Sequence, residues 1–211
     1  VEKLLADYPA PDGVDLEVGG TVEDQGDAFG DLGTLLILIV ILVYIVMATQ
    51  FESLKFPFII MFTIPFAFTG VFLALWMTST PLSLIALIGA IMLVGIVTKN
   101  GIVMVDYMNL LIERGSGVFD AVIAGGKSRL RPVLMTSFTT ILGMLPLAIG
   151  TGAGSETWQP MGIAVIGGLT FSTILTLFIV PVLYSILVNR SQRKEREKLA
   201  RLSAEHQASK H

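Results

Sequence analysis

The sequence predicts an all-α membrane protein. Five transmembrane helices are preceded by a short periplasmic α/β remnant at the N-terminus. Three observations predict this class. Mean hydropathy is +0.76. Of the 211 residues, 53% are hydrophobic and 15% charged, where a soluble domain carries about 25% charged residues. The apolar residues are gathered into runs of the roughly 20 residues needed to cross a bilayer core of about 30 Å.

Residues 1–32 are the polar exception. "VDLEV", 14–18, alternates apolar and polar positions as a half-buried strand does, and no partner strand follows it in the chain. A lone strand leaves its edges unpaired. Together with a start at Val1 and no signal-peptide pattern, this predicts that residues 1–32 are the end of a periplasmic domain whose sheet lies upstream. "TVEDQGDAFGDL", 21–32, then leads into the first span.

The spans are about 33–50, 57–77, 82–108, 132–150 and 161–188, together the membrane domain 33–188. "FESLKFP", "TSTP", "ERGSGVFDAVIAGGKSRLRP" and "TGAGSETWQP" separate them. Pro57 and Pro132 fit first-turn positions, where the missing N–H costs nothing. Pro65, Pro146 and Pro181 fall inside spans and predict kinks. In the loop 109–131, Val118, Phe119, Val122 and Ile123 share one helical face, as in a short interfacial helix. Residues 189–211 form a basic tail that can touch anionic lipid.

An odd number of spans puts the termini on opposite sides. Lys3 is the single Lys/Arg on one side. The other side holds Lys55, Arg114, Lys127, Arg129, Arg131 and seven in the tail. That asymmetry makes the basic side cytoplasmic and puts the N-terminal side outside, periplasmic if the cell has two membranes. The chain crosses its membrane several times.

Several chemistries are excluded or weakened. No cysteine is present, and His206 and His211 both lie in the tail. The body therefore lacks thiol chemistry, histidine acid–base chemistry and the usual metal ligands, so no enzyme activity, metal or cofactor is predicted. Nothing indicates nucleic-acid binding. "AGGKS", 124–128, resembles the end of a phosphate-binding loop. Ala121 stands where that loop needs glycine, and no buried strand precedes it.

The residue that calls for a function is Lys99, in "VGIVTKNGIVMVDY" near the middle of the third span. A helix from Leu82 to about Ile112 is some 46 Å long. A lysine at its centre costs about 2.5–3.5 kcal/mol on insertion scales, which neighbouring Leu, Ile and Val offset. Snorkelling to the interface suits a lysine near a helix end and fits this one poorly. Asp106 shares its face, but seven residues put the two about 10 Å apart along the axis. No other carboxylate lies in these spans, so the partner of Lys99 is predicted to lie outside this chain. Thr98 and Asn100 flank it. In the fourth span Thr136, Ser137, Thr139 and Thr140 form a polar patch, open to either helix packing or a relay role. Arg129 and Arg131 fit positive-inside anchoring.

The chain resembles the C-terminal end of resistance-nodulation-division (RND) transporters, of the hydrophobe/amphiphile multidrug efflux branch. The resemblance rests on "ATQFESLKFPFIIMFTIPFAFTG", "LVGIVTKNGIVMVDYMN", "RLRPVLMTSFTTILGMLPLA", "GTGAGSE" and "GGLTFSTILTLFIVPVLY", and runs from about residue 1 to 190. It implies a bacterial inner-membrane protein of twelve spans in two pseudo-repeated halves, of which this chain holds the last five, and a homotrimer with a periplasmic adaptor and an outer-membrane channel. It also implies proton-driven antiport, through a buried lysine facing two aspartates of the missing N-terminal half. Lys99 stands at the lysine position, with Asn100 beside it, and Arg129 and Thr136 stand at relay positions. Asp106 and Thr140 are secondary candidates. The "TKN" stretch favours organic substrates over metals. The alternatives are a truncated membrane module that does not transport, and an RND exporter of lipid or another substrate.

Overall fold

A computed structural model describes residues 21–208 apart from 151 and 153, with side chains over 25–189 apart from the same two. Its elements are α1 Thr21–Gln50, α2 Lys55–Met61, α3 Ile64–Met77, α4 Leu84–Glu113, α5 Val118–Ile149 and α6 Ser155–Ala208. Five stretches are long and apolar enough to cross a membrane: Gln25–Gln50, Lys55–Met77, Leu84–Glu113, Val118–Ile149 and Ser155–Asn189.

Two expectations are corrected. The described residues contain no strand, and 21–32 continue into α1 as one helix. The periplasmic α/β remnant therefore finds no support; the proposed strand at 14–18 lies outside the described residues. Second, the separate interfacial helix and the fourth span are one 32-residue helix, α5, with Pro132 inside it. Proline removes one backbone bond and crowds the preceding turn. A long, otherwise regular membrane helix tolerates that when neighbouring groups satisfy the freed carbonyl. Residues 124–128 lie within this helix, which disposes of the phosphate-loop resemblance. Helix α6 continues as helical backbone through the tail to Ala208, in line with a partly helical tail.

Pro65 does more than kink the second span. It occupies the first turn of α3, after a two-residue break at Phe62 and Thr63. Thr63 is fully buried there, and its hydroxyl donates to the Ile60 carbonyl at 2.6 Å. The same carbonyl accepts the Thr63 backbone N–H at 3.0 Å, so Thr63 closes the end of α2 with both its backbone and its side chain. Pro57 sits in the first turn of α2, as its spacing predicts.

Helix α6 is the hub. α3, α4 and α5 each pack extensively on it, while α4 and α5 touch one another far less. Two apolar clusters fill the spaces between the helices. One gathers Val71, Leu75, Ala90, Leu93, Ala164 and Leu169 from α3, α4 and α6. The other gathers Met47, Ile60, Met104, Met108, Val180 and Tyr184. The α3–α6 crossing is made by small residues, Gly70 and Ala74 against Gly167 and Gly168, as close helix approach in a membrane requires.

The turn from α5 to α6 explains "GTGAGSE". Gly150, Gly152 and Gly154 have φ of 71°, 140° and 83°, conformations that a side chain resists. The Ser155 hydroxyl closes the turn by donating to the carbonyls of Gly150 and Gly152, each at 2.8 Å.

Candidate functional site

The groove between α4 and α5 is where four of the sequence-predicted residues meet. Lys99 and Asn100 come from α4, and Thr136 and Thr140 from α5. Ile96, Pro132, Met135 and Thr139 complete a cleft of about 600 Å³. Lys99 is the sixteenth of the 30 residues of α4 and is exposed. Thr98, its neighbour, turns the other way; it is buried and its hydroxyl donates to the Val94 carbonyl at 2.8 Å.

The opposite wall is chemically matched to an ammonium. The hydroxyls of Thr136, Thr139 and Thr140 donate to the carbonyls of Val133, Met135 and Thr136, at 3.0, 2.8 and 2.9 Å. Their protons are committed to their own helix, which leaves the oxygens as acceptors. A lysine ammonium is a donor only, with three N–H groups. No carboxylate lines the groove. Its described walls thus offer hydrogen-bond acceptors and no negative charge.

Arg129 and Asp106 are not among the lining residues. Arg129 lies two turns before Thr136, with its guanidinium 4.7 Å from the centre of the Tyr107 ring, in a cation–π contact. Its Nε is buried and has no hydrogen-bond partner among the described residues. Asp106 lines a separate polar cleft of about 260 Å³ where α1 turns into α2, with Gln50, Glu52, Asn109 and Glu113. The 10 Å axial gap anticipated that separation. No group of three or more His, Cys, Asp or Glu residues suited to a metal ion occurs among the described residues.

Sequence reasoning missed two tertiary bonds. The Tyr184 hydroxyl of α6 donates to Asn109 Oδ1 of α4, and the Tyr184 ring stacks on Phe56 at 5.6 Å. The hydroxyls of Ser137 (α5) and Thr173 (α6) lie 2.9 Å apart in a buried contact. The pattern "MTSFTT" marked Ser137 as part of a polar patch, but nothing local marks its partner 36 residues away. Tyr184→Phe should remove one interhelical bond while keeping the ring. The expected cost is about 0.6 kcal/mol and at most about 1.7 kcal/mol, the average and the maximum for such bonds in a membrane, read by chemical unfolding in detergent.

Five bilayer-length spans, the last of them the hub on which the second, third and fourth pack, with a lysine at mid-span opening on a hydroxyl-lined groove, define a polytopic membrane protein. A sequence model of the AcrB/AcrD/AcrF family matches residues 1–188, and the chain belongs to this family of RND transporters. It is 42% identical over 163 residues to the multidrug resistance protein MdtC of Erwinia tasmaniensis, covering 77% of this chain and 16% of the relative. It is 38% identical over 185 residues to the cobalt-zinc-cadmium resistance protein CzcA of Cupriavidus metallidurans, covering 88% and 17%. It is also 37% identical over 195 residues to the swarming motility protein SwrC of Bacillus subtilis, covering 92% and 18%. The crystal structure of a heavy metal efflux pump superimposes with a TM-score of 0.75 at 30% identity, covering 89% of this chain and 18% of that one. The chain thus spans less than a fifth of the length of these relatives. Their names include drug and metal resistance, so the likeness does not separate the branches as the "TKN" stretch was expected to.

Proposed function

We propose that this chain is the C-terminal part of a proton-motive-force-driven efflux transporter of the bacterial inner membrane, exporting hydrophobic or amphiphilic compounds by antiport with protons. The observation that carries the reading is Lys99, a cation at mid-span facing a groove whose described walls hold no carboxylate. Its counter-charge must come from elsewhere. Aspartates on the missing N-terminal half are the natural partners. Protonating one of them weakens its hold on Lys99, and the ammonium then turns to the Thr136 and Thr140 oxygens across the groove. Asn100 holds the groove polar beside it. Arg129 enters the relay by leaving Tyr107.

The charge asymmetry of the loops supports a periplasmic N-terminus and a cytoplasmic C-terminus. Family membership supports a homotrimer working with a periplasmic adaptor and an outer-membrane channel. Export of divalent metal is the second reading, favoured by the likeness to CzcA and to the heavy metal efflux pump.

The test uses the full-length transporter in proteoliposomes, with a pH gradient acid on the side of the 78–83 loop. An amphiphilic dye should be moved against its gradient and should speed collapse of the pH gradient. Dye movement that leaves the pH gradient untouched would overturn proton antiport. Zinc movement with no dye movement would transfer the assignment to metals. The 211-residue chain alone should carry no proton flux, because its groove lacks the carboxylates.

A further inference from the structure

We propose that Ser137 and Thr173 form a positioning clamp, which sets the rotation of α5 and so decides whether Thr136 and Thr140 present their oxygens to Lys99. The inference rests on the groove having the role proposed above.

The argument starts from helix geometry. Successive residues of an α-helix are turned by about 100°. Pro132, Met135, Thr136, Thr139 and Thr140 therefore fall on one arc of α5, which is the groove wall. Val133 and Ser137 fall on the adjoining arc and are 3% and 4% exposed. That buried arc faces α6, the helix on which α5 principally packs. Ser137 follows Thr136 in the chain, so any rotation that moves one moves the other by the same angle.

Apolar packing seats α5 on its neighbours beyond Thr140, through Ile141 and Ala148, and more weakly beside the groove wall itself. Apart from Val133, the side chains of α5 from 130 to 149 are at least partly exposed or polar, and large apolar ones such as Met135, Phe138 and Leu142 point away from the bundle. A directional bond supplies what packing does not. Ser137 Oγ and Thr173 Oγ1 meet at 2.9 Å, and Thr173 is itself only 5% exposed. Where water is excluded, turning α5 would strand both hydroxyls without a partner. The bond therefore opposes rotation in either direction.

The looser contact between α4 and α5 gives the clamp its purpose. The two groove walls are each seated on α6 and only lightly on each other. The spacing of Lys99 from the threonine oxygens is then set through α6. Ser137 and Thr173 touch neither the groove nor a proton on its way; they act by placing Thr136 and Thr140.

The test uses the full-length transporter. Ser137→Ala and Thr173→Val should each lower turnover about threefold to tenfold, the fold-change matching one interhelical bond in a membrane, and should shift the pH midpoint of transport. Thr173→Ser, which keeps the hydroxyl, should restore both. A second measurement reads the groove directly. With Asn100→Cys and Thr140→Cys introduced together, the rate of cross-linking across the groove should change when Ser137→Ala is added. If turnover falls only as the amount of folded trimer falls, with the pH midpoint and the cross-linking rate unchanged, the clamp is overturned. If Lys99→Ala transports normally while the cross-linking rate still responds to Ser137→Ala, the clamp stands and the relay reading falls.

Discussion

Lys99→Ala in the full-length transporter should reduce efflux to background while leaving expression and trimer assembly unchanged. An elementary charge moving across 100 mV is worth about 2.3 kcal/mol, a bias of roughly 50-fold between two conformations. Removing the ammonium removes the group on which proton entry acts, so a loss of about that size or larger is expected in drug tolerance and in dye export. Within the described part of the bundle, stability should be nearly unaffected. Lys99 is exposed to the groove and takes no part in the apolar clusters, and substitutions outside packed features usually change stability by within about 0.5 kcal/mol. Lys99→Arg separates charge from geometry. The guanidinium keeps the charge, but it is a planar fork where lysine offers a compact, rotatable ammonium, so transport should stay impaired. Normal efflux by Lys99→Ala would end the relay proposal. Loss of efflux accompanied by loss of trimer would show a structural lysine instead.

The groove was legible in the sequence because both of its walls are local. Lys99 and Asn100 are adjacent, and Thr136 and Thr140 are one turn apart, so each helix displays its own contribution on one face. A mid-span ammonium is also conspicuous against its surroundings. The partners that hold those walls were not legible. Ser137 meets Thr173, and Asn109 meets Tyr184, across sequence separations that no periodicity encodes. Arg129, for which the resemblance implies a relay position, lies two turns before Thr136, and its guanidinium rests on Tyr107, a contact that nothing local in "RLRP" encodes.

Element boundaries failed where proline was read too simply. Pro132 fits a helix start, and α5 runs through it. Pro65 fits a kink, and it stands in the first turn after the break between α2 and α3. The difference lies in what serves the neighbouring carbonyls. At Pro65 the chain turns, and the buried Thr63 hydroxyl takes up the Ile60 carbonyl. Near Pro132 the flanking turns are regular, and the helix absorbs one missing bond.

Gly70→Ala should destabilise the bundle by about 1–3 kcal/mol, the range for adding volume to a tight site, and Gly70→Leu should prevent normal assembly. A Cβ on Gly70 would lie 2.5 Å from the Phe171 Cβ and 2.8 Å from the Gly167 carbonyl oxygen. Neither atom is the far end of a flexible side chain, so relief requires α3 and α6 to move apart. Because α6 also seats α4 and α5, that movement reaches the groove walls. Gly143, on the lipid-length part of α5, makes the control. A Cβ there has nothing within 4 Å among the described residues, so Gly143→Ala should hold stability or raise it by up to about 1 kcal/mol through helix propensity. Chemical unfolding of the purified protein in detergent reads both. If Gly70→Ala and Gly143→Ala behave alike, the close α3–α6 crossing is not what holds the bundle. If only Gly70→Ala falls, transport should fall with it, because the Lys99 wall and the threonine wall rest on the same helix.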